Sequence, residues 1–143
     1  MPSFTITQPD LQSTGPILEI RAAISKSLYD NLQKNGEVIP PPVKVVAMID
    51  TGASSSVLNP DIISKLSLNP IGQIKINTPS CVGLDCYQYS VAFVLPNGVI
   101  IEVSDVIEAP LQGQNIQCLI GRDILKLGVL IYNGYMQSVT FSV

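Results

Sequence analysis

The sequence predicts an all-β fold carrying one or two short helices. Three observations carry this: the apolar runs have strand length, both chain ends alternate apolar with polar residues, and glycine, proline or asparagine punctuates the intervals. Ile17 to Ile24 reads as a first strand and Val43 to Ile49 as a second, the latter fully buried because its apolar run is nearly unbroken. Asn35-Gly36 and Pro40-Pro41-Pro42 mark the segment from Tyr29 to Pro42 as a long surface connection. Asn59-Pro60-Asp61 is a helix start, with a capping side chain, a proline in the first turn and an acid at the positive end of the helix dipole.

Residues 71–77 and 86–95 read as strands on either side of a polar, turn-rich stretch from Thr78 to Asp85, and Pro96-Asn97-Gly98 turns the chain into a further strand, Val99 to Val103. Arg122 to Leu127 is a short helix stopped by Gly128. Val129 to Tyr132 then pairs with Tyr135 to Val143 across Asn133-Gly134, a strong hairpin signal. Phe4 and Ile6 at the front, and Val139, Phe141 and Val143 at the back, alternate with polar residues as half-buried strands do.

At 143 residues, with 46% hydrophobic and 13% charged, the expectation is one globular domain over 1–143, residues 1–15 forming an N-terminal extension or an interface strand. A net charge of −3 with only eight Lys and Arg offers nucleic acid no electrostatic footprint. The start lacks the basic and apolar regions of a signal peptide, and no stretch has the length of a membrane span, so no membrane association and a cytoplasmic location are expected. Three cysteines, an odd number, suit a reducing compartment. Cys81 and Cys86 read as small hydrophobes near a sheet rather than as a redox pair. Without any histidine, Ser-His and Cys-His hydrolase mechanisms are excluded and a zinc site is disfavoured, so neither metal nor cofactor is expected.

Asp50-Thr51-Gly52-Ala53 follows the second strand directly. A lone carboxylate on a tight turn in apolar surroundings would take up a proton, so the placement suits chemistry in which a second carboxylate shares the site. The chain holds a single Asp-Thr-Gly and is too short for a second lobe, which points to a symmetric homodimer with Asp50 beside its own copy.

The segment from Met48 to Leu58 resembles the active-site strand and turn of retropepsins, the single-lobe aspartic proteases of retroviruses and their cellular and bacterial relatives. Cys118 to Leu125, with Gly121-Arg122-Asp123 at its centre, is similar to the segment that in this family passes beside the catalytic strand and opens a C-terminal helix. The resemblance covers about residues 16–143 and implies a closed acid-protease β-barrel. It implies an aspartic endopeptidase acting on peptide or protein substrates, with Asp50 as the catalytic residue. Thr51, Gly121 and Arg122 would support the structure, and Gly52, Ala53 and Ser54 would contact substrate. Ser80, Cys81, Val82 and Gly83 would do so from a flap. The two chain ends would interleave with those of the partner, the alternative being pairing within one chain.

Two departures from the family pattern matter. Ser54 stands where retroviral enzymes carry an acid that pairs with the arginine of the second motif, so Arg122 needs another partner. Ala53 lacks a hydroxyl that in pepsin-like enzymes bonds a catalytic carboxylate. A dimer that binds extended peptides with weak or no catalysis is the main rival. A phospho-acceptor role for Asp50 fails for want of a phosphate site, and a β-domain in which Asp-Thr-Gly is merely a turn completes the alternatives.

Overall fold

The computed structural model describes every residue except 79, 80, 112 and 114, and of Thr78 and Cys81 the backbone alone. Ten strands and four helices are described: β1 (Ser3–Thr7), α1 (Leu11–Thr14), β2 (Ile17–Ile24), α2 (Lys26–Lys34), β3 (Val43–Ile49), β4 (Val57–Leu58), α3 (Pro60–Lys65), β5 (Gly72–Thr78), β6 (Cys81–Val94), β7 (Ile100–Glu108), β8 (Cys118–Ile120), α4 (Arg122–Leu125), β9 (Val129–Asn133) and β10 (Ser138–Ser142). The chain is mostly β, as predicted.

Seven strands form one sheet in the order β2-β3-β8-β4-β7-β6-β5, and β2 also pairs with β6. That extra pairing, Arg21 to Ile24 against Val91 to Val94, brings the order back on itself as a ring. Two contacts in the ring are parallel, β3 with β8 and β4 with β7. The short β8 therefore lies between the strand that leads into Asp50 and the strand that follows it. A second sheet of order β1-β10-β9 packs on the ring, since Val139 and Phe141 belong to the same buried cluster as Ile49, Leu58, Phe93 and Ile120.

Alternation explains which face each strand buries. In β2, Leu18, Ile20, Ala22 and Ile24 point inward between more exposed neighbours. β3 does the same: Val45, Ala47 and Ile49 are buried, whereas Lys44 and Val46 are exposed. Its nearly unbroken apolar run suggests burial on both faces. Val46 instead covers the outer surface, where its N–H bonds the Gln117 side chain at 3.0 Å.

Helices α1 and α2 are not apparent in the sequence pattern. α2 occupies the start of the expected surface connection, capped by Ser25, whose side chain accepts from the Leu28 N–H at 3.2 Å. Leu28 and Leu32, one helical turn apart, are its only apolar contacts with the core, too sparse a stripe to stand out in a polar segment. The predicted cap at Asn59 also differs. Its side chain bonds Asp61 and Leu111 instead of the helix N-terminus, so it ties α3 to the segment after β7.

Two hairpins differ from expectation. β5 and β6 extend almost to the tip, pairing Ile76 with Leu84 and Thr78 with Cys81, so the turn-rich stretch is mostly strand. β9 and β10 meet at Asn133 and Ser138 across a four-residue loop rather than an Asn-Gly turn. Asn133 Oδ1 accepts from the Met136 N–H at 3.0 Å, and the Gln137 side chain donates to Gly134 O at 2.7 Å, which widens the loop. At the entry to β9 only glycine fits, because a Cβ on Gly128 would lie 2.0 Å from Ser142 O.

Candidate active site

The site grows from the parallel contact of β3 with β8. Ala47, Met48 and Ile49 run beside Cys118, Leu119 and Ile120, and the pairing extends one residue further as the Asp50 N–H donates to Ile120 O at 2.9 Å. The backbone then turns sharply. Ala53 N–H donates to Asp50 O at 3.2 Å, and Gly52 N–H donates to the Asp50 carboxylate at 2.9 Å. A Cβ at Gly52 would sit 3.1 Å from that same carboxylate oxygen, so glycine keeps the approach open.

Asp50 is half-buried in the single chain, and Thr51 and Gly52 are exposed. Its carboxylate therefore stands at a surface, not in the apolar enclosure expected from sequence. The reason is local: β3 ends at the rim of the ring, so the turn projects beyond the last buried side chain, Ile49.

The second motif clasps the turn from below. With Ser54 in place of an acid, Arg122 finds its partners on the backbone: its guanidinium donates to Thr51 O at 2.7 Å, and its own N–H donates to Ala53 O at 2.9 Å. Gly121 lies so close to the backbone at Ser55 that a Cβ would fall 2.6 Å from the Ser55 carbonyl carbon. Sequence reasoning missed two members of this clasp. Ser56, fully buried, donates its hydroxyl proton to Asp123 Oδ1 at 2.7 Å and accepts from the Gly121 N–H at 3.0 Å. Asp123 Oδ2 takes the Ser56 N–H at 2.8 Å, while Oδ1 also takes the Ile124 N–H at 2.9 Å. Both residues lie inside the two motifs; what hides them is that a serine in a Ser-Ser-Ser run gives no sign of which hydroxyl turns inward.

Among the other predicted site residues, Ser54 is exposed and Ala53 half-buried on the same turn. Ser80 lies outside the described residues, and Cys81 is placed only as the first residue of β6. Val82 is exposed, and Gly83 takes a positive φ of 71° with its N–H bonded to the Asn77 side chain at 3.0 Å. Val82 and Gly83 belong to β6, on one side of the β5–β6 hairpin. Beside the turn, Thr51, Arg122, Leu125, Lys126 and Leu130 line an open recess of about 440 Å³. A more apolar recess of about 520 Å³ lies behind α2, lined in part by Tyr29, Ala92 and Ile100, and contains no residue of the turn.

The cysteines that are described offer no reactive thiol. Burial pushes the Cys86 thiol up, with Asp85 adding to the effect, and burial raises the wholly enclosed Cys118 further. Among the described residues there is no group of three or more His, Cys, Asp or Glu placed to hold a metal ion.

The aspartyl protease family profile matches residues 33–124, and the chain belongs to that family. In fold it is similar to a retropepsin-like aspartic protease from Rickettsia conorii, at 16% identity and a TM-score of 0.55, with 97% of this chain and 89% of that one covered. A retroviral protease-like domain of Ddi1 from Leishmania major aligns at 18% identity and a TM-score of 0.48 over 89% of each chain. No curated protein sequence matches. The fold is thus retropepsin-like. No helix among the described residues is long and apolar enough to cross a membrane.

Proposed function

We propose that the protein is an aspartic endopeptidase that hydrolyses extended peptides with a water activated between two copies of Asp50 in a homodimer. The observation that carries this reading is the clasped turn: Asp50 is fixed at the end of β3 by Ile120, and its loop is held by Arg122 at two carbonyls. A turn so constrained presents its carboxylate at a surface, where a second copy can meet it.

In such a pair, mutual repulsion keeps one carboxyl protonated, the general behaviour of aspartic protease dyads. The ionised member takes a proton from the water while the neutral one donates to the substrate carbonyl, giving a tetrahedral intermediate with no covalent enzyme adduct. Gly52 leaves room for the substrate backbone, and the β5–β6 hairpin supplies the lid, its Ile76–Leu84 pair forming an apolar cross-strand contact. Substrates with apolar or aromatic side chains on both sides of the cut bond are expected, in a cytoplasmic setting.

Asp50→Asn tests the reading, because it removes the charge and keeps the volume. It should abolish cleavage of a peptide library while leaving melting unchanged. Cleavage above about a hundredth of the wild-type rate, a loss of less than about 2.7 kcal/mol of transition-state stabilisation, would remove Asp50 from the mechanism. A wild-type protein that binds peptides and cuts none would favour the peptide-binding rival, for which the exposed Ser54 in place of an acid is the supporting feature.

A further inference from the structure

Two alanines stand side by side on the outer face of the ring, where β2, β6 and β7 run together. The pairings are Ala23 with Ala92 and Ala92 with Glu102, and the next row sets Val94 against Ile100. Ala23 alternates with the inward-facing Ala22 and Ile24, so this row points away from the core. Two methyl groups in such a row leave a hollow above the sheet. Helix α2 contributes Tyr29 to its wall and the connection into β3 contributes Pro42, which gives a recess of about 520 Å³. That is the size of a small-molecule site, for which ~300–1,000 Å³ is usual. Pro42 precedes β3 and Asp50 follows it, so roughly 26 Å of extended chain separates the recess from the Asp50 turn.

The charges of the lining are answered within the chain. Lys26 holds its ammonium against Asp30 at 2.8 Å, and the Glu102 carboxylate accepts the Lys26 N–H at 2.6 Å. Arg21, across the strand from Val94, is outside the lining. An anionic ligand would meet Glu102 and a cationic one would lie beside the Lys26 ammonium, so complementarity selects a neutral molecule. One polar group in the lining is spare: the Tyr29 hydroxyl has no hydrogen-bond partner among the described residues. A bilayer or a second copy would have to strip water from Lys26, Asp30 and Glu102 to reach the alanine floor, whereas a small molecule need not.

We infer that this recess binds a small neutral molecule with a flat apolar body and one hydrogen-bonding group. The body rests on Ala23, Ala92, Val94 and Ile100, and the polar group meets the Tyr29 hydroxyl. The inference goes beyond the peptidase reading and does not depend on it.

Fluorescence titration of 1-naphthol with the full chain tests it. The chain has no tryptophan, so a probe excited beyond tyrosine absorption is read alone. Wild type and Asp50→Asn should bind 1-naphthol alike and saturably. The ions 1-naphthylacetate and 1-naphthylmethylammonium should bind about tenfold more weakly or worse. Tyr29→Phe should weaken 1-naphthol about fivefold, as loss of one hydrogen bond does, and leave naphthalene unchanged. Ala23→Leu should fill the hollow and abolish binding of both. Ile100→Asn should weaken both about tenfold, and because Ile100 is 64% exposed this variant decides if circular dichroism shows Ala23→Leu misfolded. No saturable binding, equal binding of either ion, equal loss of naphthalene and 1-naphthol in Tyr29→Phe, or full binding in Ile100→Asn would each overturn the inference. So would sedimentation in which Ile100→Asn dissociates a wild-type dimer or abolishes wild-type binding to phosphatidylcholine vesicles, since the recess would then belong to a second copy or to a bilayer.

Discussion

Ser56→Ala measures how firmly the clasp holds the turn. The hydroxyl it removes is fully buried, donates to Asp123 Oδ1 at 2.7 Å and accepts the Gly121 N–H at 3.0 Å. A hydrogen bond to a charged acceptor contributes about 1.5–3 kcal/mol, and stranding a buried N–H costs about 1–3 kcal/mol, so the low ends of both ranges already sum to about 2.5 kcal/mol. Alanine leaves a small void in place of one oxygen, which brings the expected loss to about 3 kcal/mol. With an unfolding entropy of about 2.1 cal/mol/K per residue, a 143-residue chain loses roughly 10 °C in melting temperature. Thermal melts at one fixed protein concentration keep any dimerisation from entering the comparison. The partner is tested by a double-mutant cycle with Asp123→Ala: the two losses should fall short of additivity by about 1.5 kcal/mol or more. A drop under about 3 °C, or additivity within about 0.5 kcal/mol, would refute the clasp as drawn.

The neighbouring Gly121→Ala forces a Cβ to 2.6 Å from the Ser55 backbone, which cannot rotate away as a side chain can, and should destabilise by about 1–3 kcal/mol in the same melts. The Tyr89 hydroxyl is pushed up to about 12 by burial, with the hydrogen bond to Glu108 second. Its neutral form therefore contributes stability that is intact below pH 10 and is lost as pH rises from 10 to 12, at up to about 1.4 kcal/mol per pH unit. Urea titrations should show Tyr89→Phe flattening the decline in that window; an equal decline in both proteins would contradict it. Cys86 and Cys118, both buried with raised thiols, should resist alkylation at neutral pH in the folded protein and react on unfolding, as peptide mass mapping would show.

Strand positions were legible because period-two alternation and turn residues act locally: β2 and β3 lie where the pattern put them and the Asp50 turn follows β3, whereas β7 runs on to Glu108, five residues past its expected end, and β10 begins at Ser138 rather than Tyr135. The misses share a physical origin. α2 is held by a cap and two leucines, so its pattern is too thin to separate from a loop. The β9–β10 loop is widened by side-chain bonds of Asn133 and Gln137 that override the Asn-Gly preference. The pairing of β1 with β10 joins the two ends of the chain, and no local rule says whether a strand finds its own chain or another. Ser56 and Asp123, 67 residues apart in sequence, come together through the antiparallel pairing of β4 with β8, which sets Val57 opposite Leu119.

On the proposed reading, this long-range clasp has a direct bearing on catalysis. A carboxylate on an exposed turn would ordinarily sample many positions, and aligning it at the moment of reaction would cost rate. Here the turn has little freedom left before any partner arrives. Ile120 fixes its start, Gly52 N–H orients the Asp50 carboxylate, Arg122 holds two of its carbonyls, and the Ser56–Asp123 pair anchors the backbone beneath it. Each copy thus preorganises its half of the site from its own residues, and what a second copy adds is the opposing carboxylate rather than the folding of the turn. Loosening the clasp should therefore lower turnover even in a dimer that remains associated. Added protein should leave that loss unrestored, because raising concentration drives association and does not tighten the turn.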